Sequence, residues 1–253
     1  MRSSTSCTRW WLGLFFVAVS CDLPPPSQAI EGSVAARVVD PSDGILPRNG
    51  SVAIAVGGLL DPASLYGADA LLRSGDRELG IVLRFDPATR VLIADPAPAL
   101  LDPELDYTLH VAGPRDFEGR AMETVEARFR VVRDLAAPER DADFEAVTRV
   151  FEGCRGCHEG PTAALGLDVT DLRRTAIGVR PSEIAASQSS LRIIEPGHPE
   201  RSYLVYKMLG EGPIVGAPMG AIEAPDEPLP RAAIATITRW IARGAVIPDP
   251  EQP

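Results

Sequence analysis

The spacing of apolar residues changes once along the chain, and this change constrains the fold more than any other feature. From residue 30 to about residue 134, apolar and polar residues alternate, as in strands with one buried face. Turn signals such as Asp61-Pro62 and Asp95-Pro96 separate the alternating segments. With weaker candidates included, about seven short strands follow one another at the spacing of a β-sandwich. Residues 30–134 are therefore predicted to form an all-β antiparallel sandwich, whose clearest strands lie in SVAIAV, GIVLRF, DYTLHV and TVEARFRV.

A helical spacing begins after residues 135–143, LAAPERDAD, which are short and charged and are predicted to be a linker. Apolar residues then recur every three or four positions from Phe144 onwards. A middle helix is predicted through residues 202–209, and a last helix follows Pro230. An all-α domain is therefore predicted over residues 144–247, with a short tail at residues 248–253.

The N-terminus predicts export. Residues 1–20 combine two arginines with an apolar run too short to span a membrane, as in a signal peptide. The run ends in Ala-Val-Ser before Cys21, which resembles a bacterial lipobox and predicts lipidation of Cys21; secretion without a lipid is the alternative. Residues 21–29 contain three successive prolines and predict a stiff tether. We expect an exported lipoprotein, periplasmic or on the cell surface, anchored in a membrane.

Charge excludes one class of partner. The formal net charge is −10, and the sequence contains no basic cluster. Phosphate contacts require clustered Lys and Arg, so nucleic acid is not an expected partner.

The motif CRGCH, residues 154–158, holds the richest chemistry of the chain. Two cysteines three positions apart followed by a histidine are typical of covalent c-type haem attachment, with His158 as an iron ligand. Alternatives are a thioredoxin-like dithiol, a zinc site, a structural disulfide and chance. The dithiol normally follows a strand, and zinc needs a second pair of ligands, so the pattern favours haem bound through Cys154 and Cys157.

Three residues are candidates for the second axial ligand. Met219 lies in a loop rich in glycine and proline, where an apolar methionine needs a reason to be present. Met208 lies within the predicted middle helix and is expected to pack in the core. His198 is expected to be a loop histidine preceding that helix. Met219 is therefore the preferred ligand, since a thioether raises the reduction potential of a haem.

Both halves resemble known families. Residues 30–134 resemble bacterial Ig-like domains, through VVDPSDGILP (38–47), LLDPASL (59–65), LRFDPATRVLIADPAPALLDPELDYTLHV (83–111) and ARFRVV (127–132). Residues 144–246 resemble a class I cytochrome c domain, through VFEGCRGCH (150–158), GLDVTDL (166–172), IIEPGHPERSYLVYKMLG (193–210), APMGA (217–221) and ITRWIARGA (237–245). One difference is that the family's Met-Pro is Met219-Gly220 here.

The resemblances imply roles for individual residues. By resemblance, one haem c is bound by Cys154 and Cys157, with His158 as the proximal and Met219 as the distal ligand. Tyr107 would be the tyrosine whose hydroxyl bonds the upstream backbone. The expected fold class is two domains, an Ig-like antiparallel sandwich followed by an all-α cytochrome c fold.

The expected function is electron transfer. A haem with both axial positions filled passes single electrons between redox partner proteins of the periplasm or the respiratory chain, and no catalytic residues are expected. One alternative is a surface interaction lipoprotein in which the Ig-like half binds a partner and the haem half is a redox sensor or structural unit. A further alternative is a haem enzyme or gas binder in which Met219 does not bind the iron.

Overall fold

The structure is a computed structural model that describes residues 32–96, 101–133, 144–184, 190–220 and 229–248. The predicted signal peptide, the tether with Cys21, the linker at residues 135–143 and most of the predicted tail lie outside the described residues. The predicted domain boundaries therefore stay predictions. None of the helices in the described ranges is both long and apolar enough to cross a membrane.

The strands of the described residues form one eight-stranded sheet in the order β1-β3-β6-β5-β4-β7-β8-β2. Neighbouring strands are antiparallel except β2 and β8, which are parallel, so the sheet is mixed. Their bounds are β1 (Ala36–Asp40), β2 (Ile45–Pro47), β3 (Val52–Val56), β4 (Asp69–Ser74), β5 (Arg77–Asp86), β6 (Val91–Pro96), β7 (Asp106–Ala112) and β8 (Val125–Val132).

The alternation that predicted the strands is confirmed. In β3, Val52, Ile54 and Val56 are buried, while the residues between them are half-buried. The same two-residue period in β6 and β7 buries one face of each strand. These side chains form the larger hydrophobic core of the molecule.

The predicted antiparallel Ig-like sandwich is wrong, and the long strand β5 explains why. Its first part, from Arg77 to Gly80, pairs with β4, and its second part, from Ile81 to Asp86, pairs with β6. Because β5 pairs with β4 on one side and with β6 on the other, the strands on its two sides form a single curled sheet instead of two stacked sheets. The parallel strand β2 was also not predicted, since three residues are too few to show an alternation.

One local expectation within the sheet, at Tyr107, is confirmed. The backbone N–H of Asp102 donates to the hydroxyl of Tyr107 at 2.9 Å, which is the predicted bond to the upstream backbone. His110 faces outward on β7, with its ring nitrogens 3.7 Å from Asp69 Oδ2 and 3.4 Å from Glu126 Oε1 on the neighbouring strands.

Three of the five α-helices in the described residues confirm helices that the sequence predicted. The five are α1 (Pro62–Leu65), α2 (Phe144–Glu152), α3 (Leu172–Thr175), α4 (Tyr203–Leu209) and α5 (Arg231–Ala242). Helix α4 ends because Gly210 adopts the left-handed conformation, with φ +70°, and its N–H bonds back to the carbonyl of Tyr206. Helix α5 begins after Pro230 and buries Ile234, Ile237, Trp240 and Ile241.

The predicted two-domain fold class with an all-α cytochrome c fold is nevertheless wrong. The structure is organised by its mixed sheet, and the three principal helices have only 9, 7 and 12 residues. Between α2 and α4, the described residues form the one-turn helix α3, two short 3-10 turns and two isolated parallel bridges, Ile177–Ile194 and Arg192–Ser202. Glycines with positive φ, Gly166 and Gly178 among them, interrupt helical structure there.

The helices pack on one another and on the sheet. Val147, Val205 and Ile237 are fully buried in the second hydrophobic core, which α2, α4 and α5 share. A third, small core joins this region to the sheet, where the rings of Phe117 and Tyr206 meet edge to face with their centroids 5.6 Å apart. The side chains of Arg90 and Glu211 form an ion pair across the same contact, with an N–O distance of 2.7 Å.

Candidate functional site

The two cysteines and the histidine of CRGCH lie on one turn directly after α2. The carbonyl oxygen of Cys154 accepts the backbone N–H of Cys157 at 3.3 Å and that of His158 at 3.0 Å. Cys154 itself donates its N–H to the carbonyl of Phe151, at the end of the helix. These bonds hold the three functional side chains on a single compact stretch of backbone.

Both cysteines are free thiols. Cys154 is half-buried and packs against the second core, whereas Cys157 is exposed. Burial, and then the nearby Cys157, raise the pKa of the Cys154 thiol. A redox dithiol needs a thiolate, which a raised pKa disfavours, and the disulfide alternative is not formed.

The ring of His158 is held in one orientation by the backbone. Its Nδ1 lies 3.2 Å from the carbonyl oxygen of Leu167. A carbonyl oxygen can only accept, so Nδ1 is the donor, and in the neutral ring Nε2 then carries the lone pair. A histidine in this state is a metal ligand through Nε2, with its orientation set by the second bond.

Asp168 organises the backbone around that histidine. One of its carboxylate oxygens accepts the N–H of Gly160 at 3.0 Å, and the other accepts the N–H and the hydroxyl of Thr170 at 2.9 and 2.7 Å. The bonds from Thr170, and then that from Gly160, hold the pKa of Asp168 below its ordinary value despite burial. The carboxylate thus connects the residues after His158 to those after Leu167.

His158 and Met219 line the same cavity. It has a volume of about 440 Å³, counting the part open to solvent. Its wall is mostly apolar, which favours a flat, largely apolar ligand over a hydrated one. The remaining residues of the wall are Leu165, Leu167, Pro181, Ser182, Glu183, Ile193, Tyr203, Leu204 and Lys207.

The two rivals of Met219 lie elsewhere. Met208 is 2% exposed and packs in the second core, as expected for a core methionine. His198 lines a different cavity, against the sheet, and its Nδ1 lies 2.9 Å from Glu200 Oε1. Of the three candidates, Met219 alone shares a cavity with His158.

The residues present fit a covalent haem better than a bare metal ion. In the described ranges, no three His, Cys, Asp or Glu side chains gather closely enough to hold a metal ion, which gives the zinc alternative no support. Haem makes different demands, because the thiols bond to carbon and the iron takes one ligand from each face. Free thiols on the turn that precedes His158, and a methionine in the apolar cavity that His158 lines, are the residue types that these demands call for.

Sequence reasoning missed two residues of this site, Asp168 and Lys207. The signal for Asp168 was present, since an aspartate two positions before a threonine is typical of a turn closed by its side chain. Lys207 is the only lysine of the chain, but nothing in its surroundings along the sequence connects it to Met219. Cys21, the predicted lipidation site, lies outside the described residues.

No protein-family model matches this chain, and no curated protein matches it. Together with the mixed sheet, the short helices and the lack of a metal cluster in the described ranges, this corrects the resemblances stated above. The chain is not identified as a class I cytochrome c domain preceded by an Ig-like domain.

Proposed function

We propose that the chain binds one haem c through Cys154 and Cys157 and transfers single electrons between redox proteins. The observation that supports the proposal is that His158, directly after the second cysteine, shares an apolar cavity with Met219. The haem would supply a one-electron couple. The chain's own residues bind it, exclude water from it and hold its two axial ligands.

Attachment is chemically balanced. Each thiol adds across a vinyl double bond of the porphyrin: a carbon–sulfur bond forms, and the thiol proton moves to the neighbouring carbon. Nothing is oxidised or reduced. Cys157 is exposed and Cys154 is half-buried, so neither residue is enclosed in the core.

The axial ligands define what the site does. Nε2 of His158 and the thioether of Met219 would both hold the iron, which would leave no position open to a substrate and would favour electron transfer over catalysis. A soft thioether stabilises the reduced iron and raises the potential. The apolar side chains of Leu167, Ile193 and Leu204 in the cavity wall keep water away and act in the same direction.

Replacing one anchor tests the attachment. The variant Cys157→Ser, expressed with haem-maturation machinery, should lose most of the haem that survives acid–acetone extraction. Arg155→Ser, an exposed position between the two cysteines, leaves the motif intact and should retain it. Full haem retention by Cys157→Ser would exclude this site.

A redox titration tests electron transfer itself. The loaded chain should show a single one-electron couple, and its reduced form should not bind carbon monoxide. Binding of carbon monoxide would indicate an open iron and would favour the sensor described as the alternative.

We further propose that the chain is exported and anchored by a lipid on Cys21. The support is the apolar run that ends at this cysteine. Cys21→Ser should move the protein from the membrane fraction to the soluble fraction, whereas Cys7→Ser, within the predicted signal peptide, should not.

A further inference from the structure

Helix α4 presents two polar side chains, Tyr203 and Lys207, one helical turn apart on the same face. Both line the cavity that contains His158 and Met219. Both also bond to the loop that follows the helix, residues 211–219. The face of α4 that meets this loop therefore carries polar side chains, and these side chains are buried like most of the helix.

Lys207 contacts this loop at three points. Its ammonium donates to the carbonyl oxygens of Val215 at 2.9 Å and Ala217 at 2.5 Å. Its own backbone carbonyl accepts the N–H of Met219 at 2.8 Å. The three bonds fall on alternate residues of the loop and end at the methionine.

Tyr203 completes the attachment. Its hydroxyl oxygen accepts the N–H of Val215 at 3.0 Å. Since Lys207 donates to the carbonyl oxygen of Val215, both backbone polar groups of Val215 are bound. The ring of Tyr203 is 7% exposed and belongs to the small core that joins the helices to the sheet. The loop is thus fixed to a rigid part of the molecule.

The burial of Lys207 requires an explanation. The residue is only 8% exposed, and burying a long cationic side chain costs desolvation and side-chain entropy. The two partners of its ammonium are neutral carbonyls, which compensate for less of this cost than a carboxylate would. The bonds of Lys207 all go to one loop, and holding that loop in place would account for the burial of this lysine.

We propose that Lys207, assisted by Tyr203, is a positioning residue that sets the place of the Met219 thioether opposite His158, a role that rests on the proposed haem function. The loop contains Gly212 and Gly216 and so has little conformational preference of its own. Without the side chains of the clamp, defined as Lys207 and Tyr203, the loop would keep the bond between the Met219 N–H and the backbone of residue 207 but would lose its bonds at Val215 and Ala217.

Two variants separate the clamp from mere packing. Lys207→Leu keeps an apolar stem and removes the donors, whereas Lys207→Arg keeps a cation with several donors. Tyr203→Phe removes only the hydroxyl, and it keeps the proposal testable if Lys207→Leu does not fold. The variant Met219→Ala provides the reference for a haem without its thioether.

The first readout does not depend on haem chemistry. Hydrogen exchange of the full chain should show the amides of Val215 and Met219 exchanging at least about tenfold faster in Lys207→Leu, because the loop is released. The amide of Ile237 in α5 should be unchanged. Tyr203→Phe should accelerate Val215 most, and Lys207→Arg should recover at least part of the protection.

The second readout concerns the ligand. In the haem-loaded chain, Lys207→Leu should weaken the far-red absorption band that accompanies a methionine–iron bond. It should also move the reduction potential at least half of the way toward that of Met219→Ala. Lys207→Arg should restore both.

The outcomes are distinct. Unchanged exchange in Lys207→Leu and Tyr203→Phe overturns the clamp. Faster exchange with an unchanged band and potential overturns its role in placing the ligand. A wild-type chain that carries no covalent haem overturns the proposed function, and with it the ligand role, while the exchange result still decides whether the clamp exists.

Discussion

The Nδ1 atom of His158 lies 3.2 Å from the carbonyl oxygen of Leu167, and Asp168, the next residue, binds the N–H of Gly160. The histidine that follows the two cysteines is therefore fixed by a segment nine positions further along the chain. This arrangement fixes the orientation of His158 before any cofactor is bound, because all of its partners belong to the polypeptide.

The first prediction concerns the acid sensitivity that Asp168 confers. Its pKa is lowered in the folded chain, so it stabilises the fold above its ordinary value of 3.8, and this contribution is lost as the pH falls through the folded pKa. In Asp168→Asn this contribution is missing at every pH. We expect the unfolding temperature of the wild type to fall more steeply below about pH 4 than that of Asp168→Asn.

Thermal unfolding followed by circular dichroism at a series of pH values measures this difference. Asp76→Asn, an exposed position in the turn between β4 and β5, is the control and should follow the wild type. Parallel curves for the wild type and Asp168→Asn would contradict the role assigned to the carboxylate.

The second prediction concerns the opposite shift at Glu200. Its side chain is 5% exposed, and burial raises its pKa, while the hydrogen bond with His198 opposes the rise. A raised pKa means that stability is fully present below the ordinary value of 4.5 and is lost as the pH rises through the folded pKa. Glu200→Gln cannot ionise and avoids this loss.

The unfolding temperature of Glu200→Gln, compared with that of the wild type, should therefore rise between about pH 4 and pH 7. Glu152→Gln, at the exposed end of α2, should show no such change. His198 and Arg201 act on the carboxyl group in the opposite direction, so a falling difference would mean that their charges outweigh its burial.

The third prediction compares two glycines of the loop that carries Met219. Gly212 and Gly216 both have positive φ, so alanine at either position should cost about 1–2 kcal/mol. A Cβ at Gly212 would also lie 2.8 Å from Cδ1 of Tyr206, whereas the space at Gly216 is open. Gly212→Ala should therefore cost about 1–3 kcal/mol more than Gly216→Ala.

Thermal or denaturant unfolding of both variants gives this difference directly, at about 2–4 °C for each kcal/mol in a chain of this size. Equal losses would show that the ring of Tyr206 does not press against the loop.

The fourth prediction separates the two methionines. Met219→Ala should lower the reduction potential by about 0.1 V or more, within the roughly 0.8 V range that axial ligands set, and should open the iron to added ligands. Met208→Leu keeps the core packed and should leave the potential unchanged. Spectroelectrochemical titration measures both. A reduction potential that changes in Met208→Leu and stays constant in Met219→Ala would assign Met208, and not Met219, as the iron ligand.

Local features were predictable from the sequence. Helices α2, α4 and α5 were predicted because their spacing and their capping residues are encoded within a few positions of one another. CRGCH was recognised for the same reason, since its chemistry depends on adjacent residues. The bond between Asp102 and Tyr107 also joins residues only five positions apart.

Non-local features were not predictable. The single sheet depends on β5 pairing with two different strands along its length, and an alternating pattern does not reveal its partners. The parallel pair of β2 and β8 joins segments about eighty residues apart through a three-residue strand. The clamp on Met219 depends on the reach of one lysine side chain, which has no signature in the sequence.

The mass of the intact chain, measured under denaturing conditions after expression with haem-maturation machinery, tests the central claim most directly. Denaturation removes every non-covalent ligand, so only a bond to the polypeptide survives. We predict the mass of the mature polypeptide with its lipid on Cys21 plus one haem, and the loss of the haem mass when Cys154 and Cys157 are both replaced by serine. The mass of the polypeptide alone, from cells that load haem onto a control protein, would contradict the account.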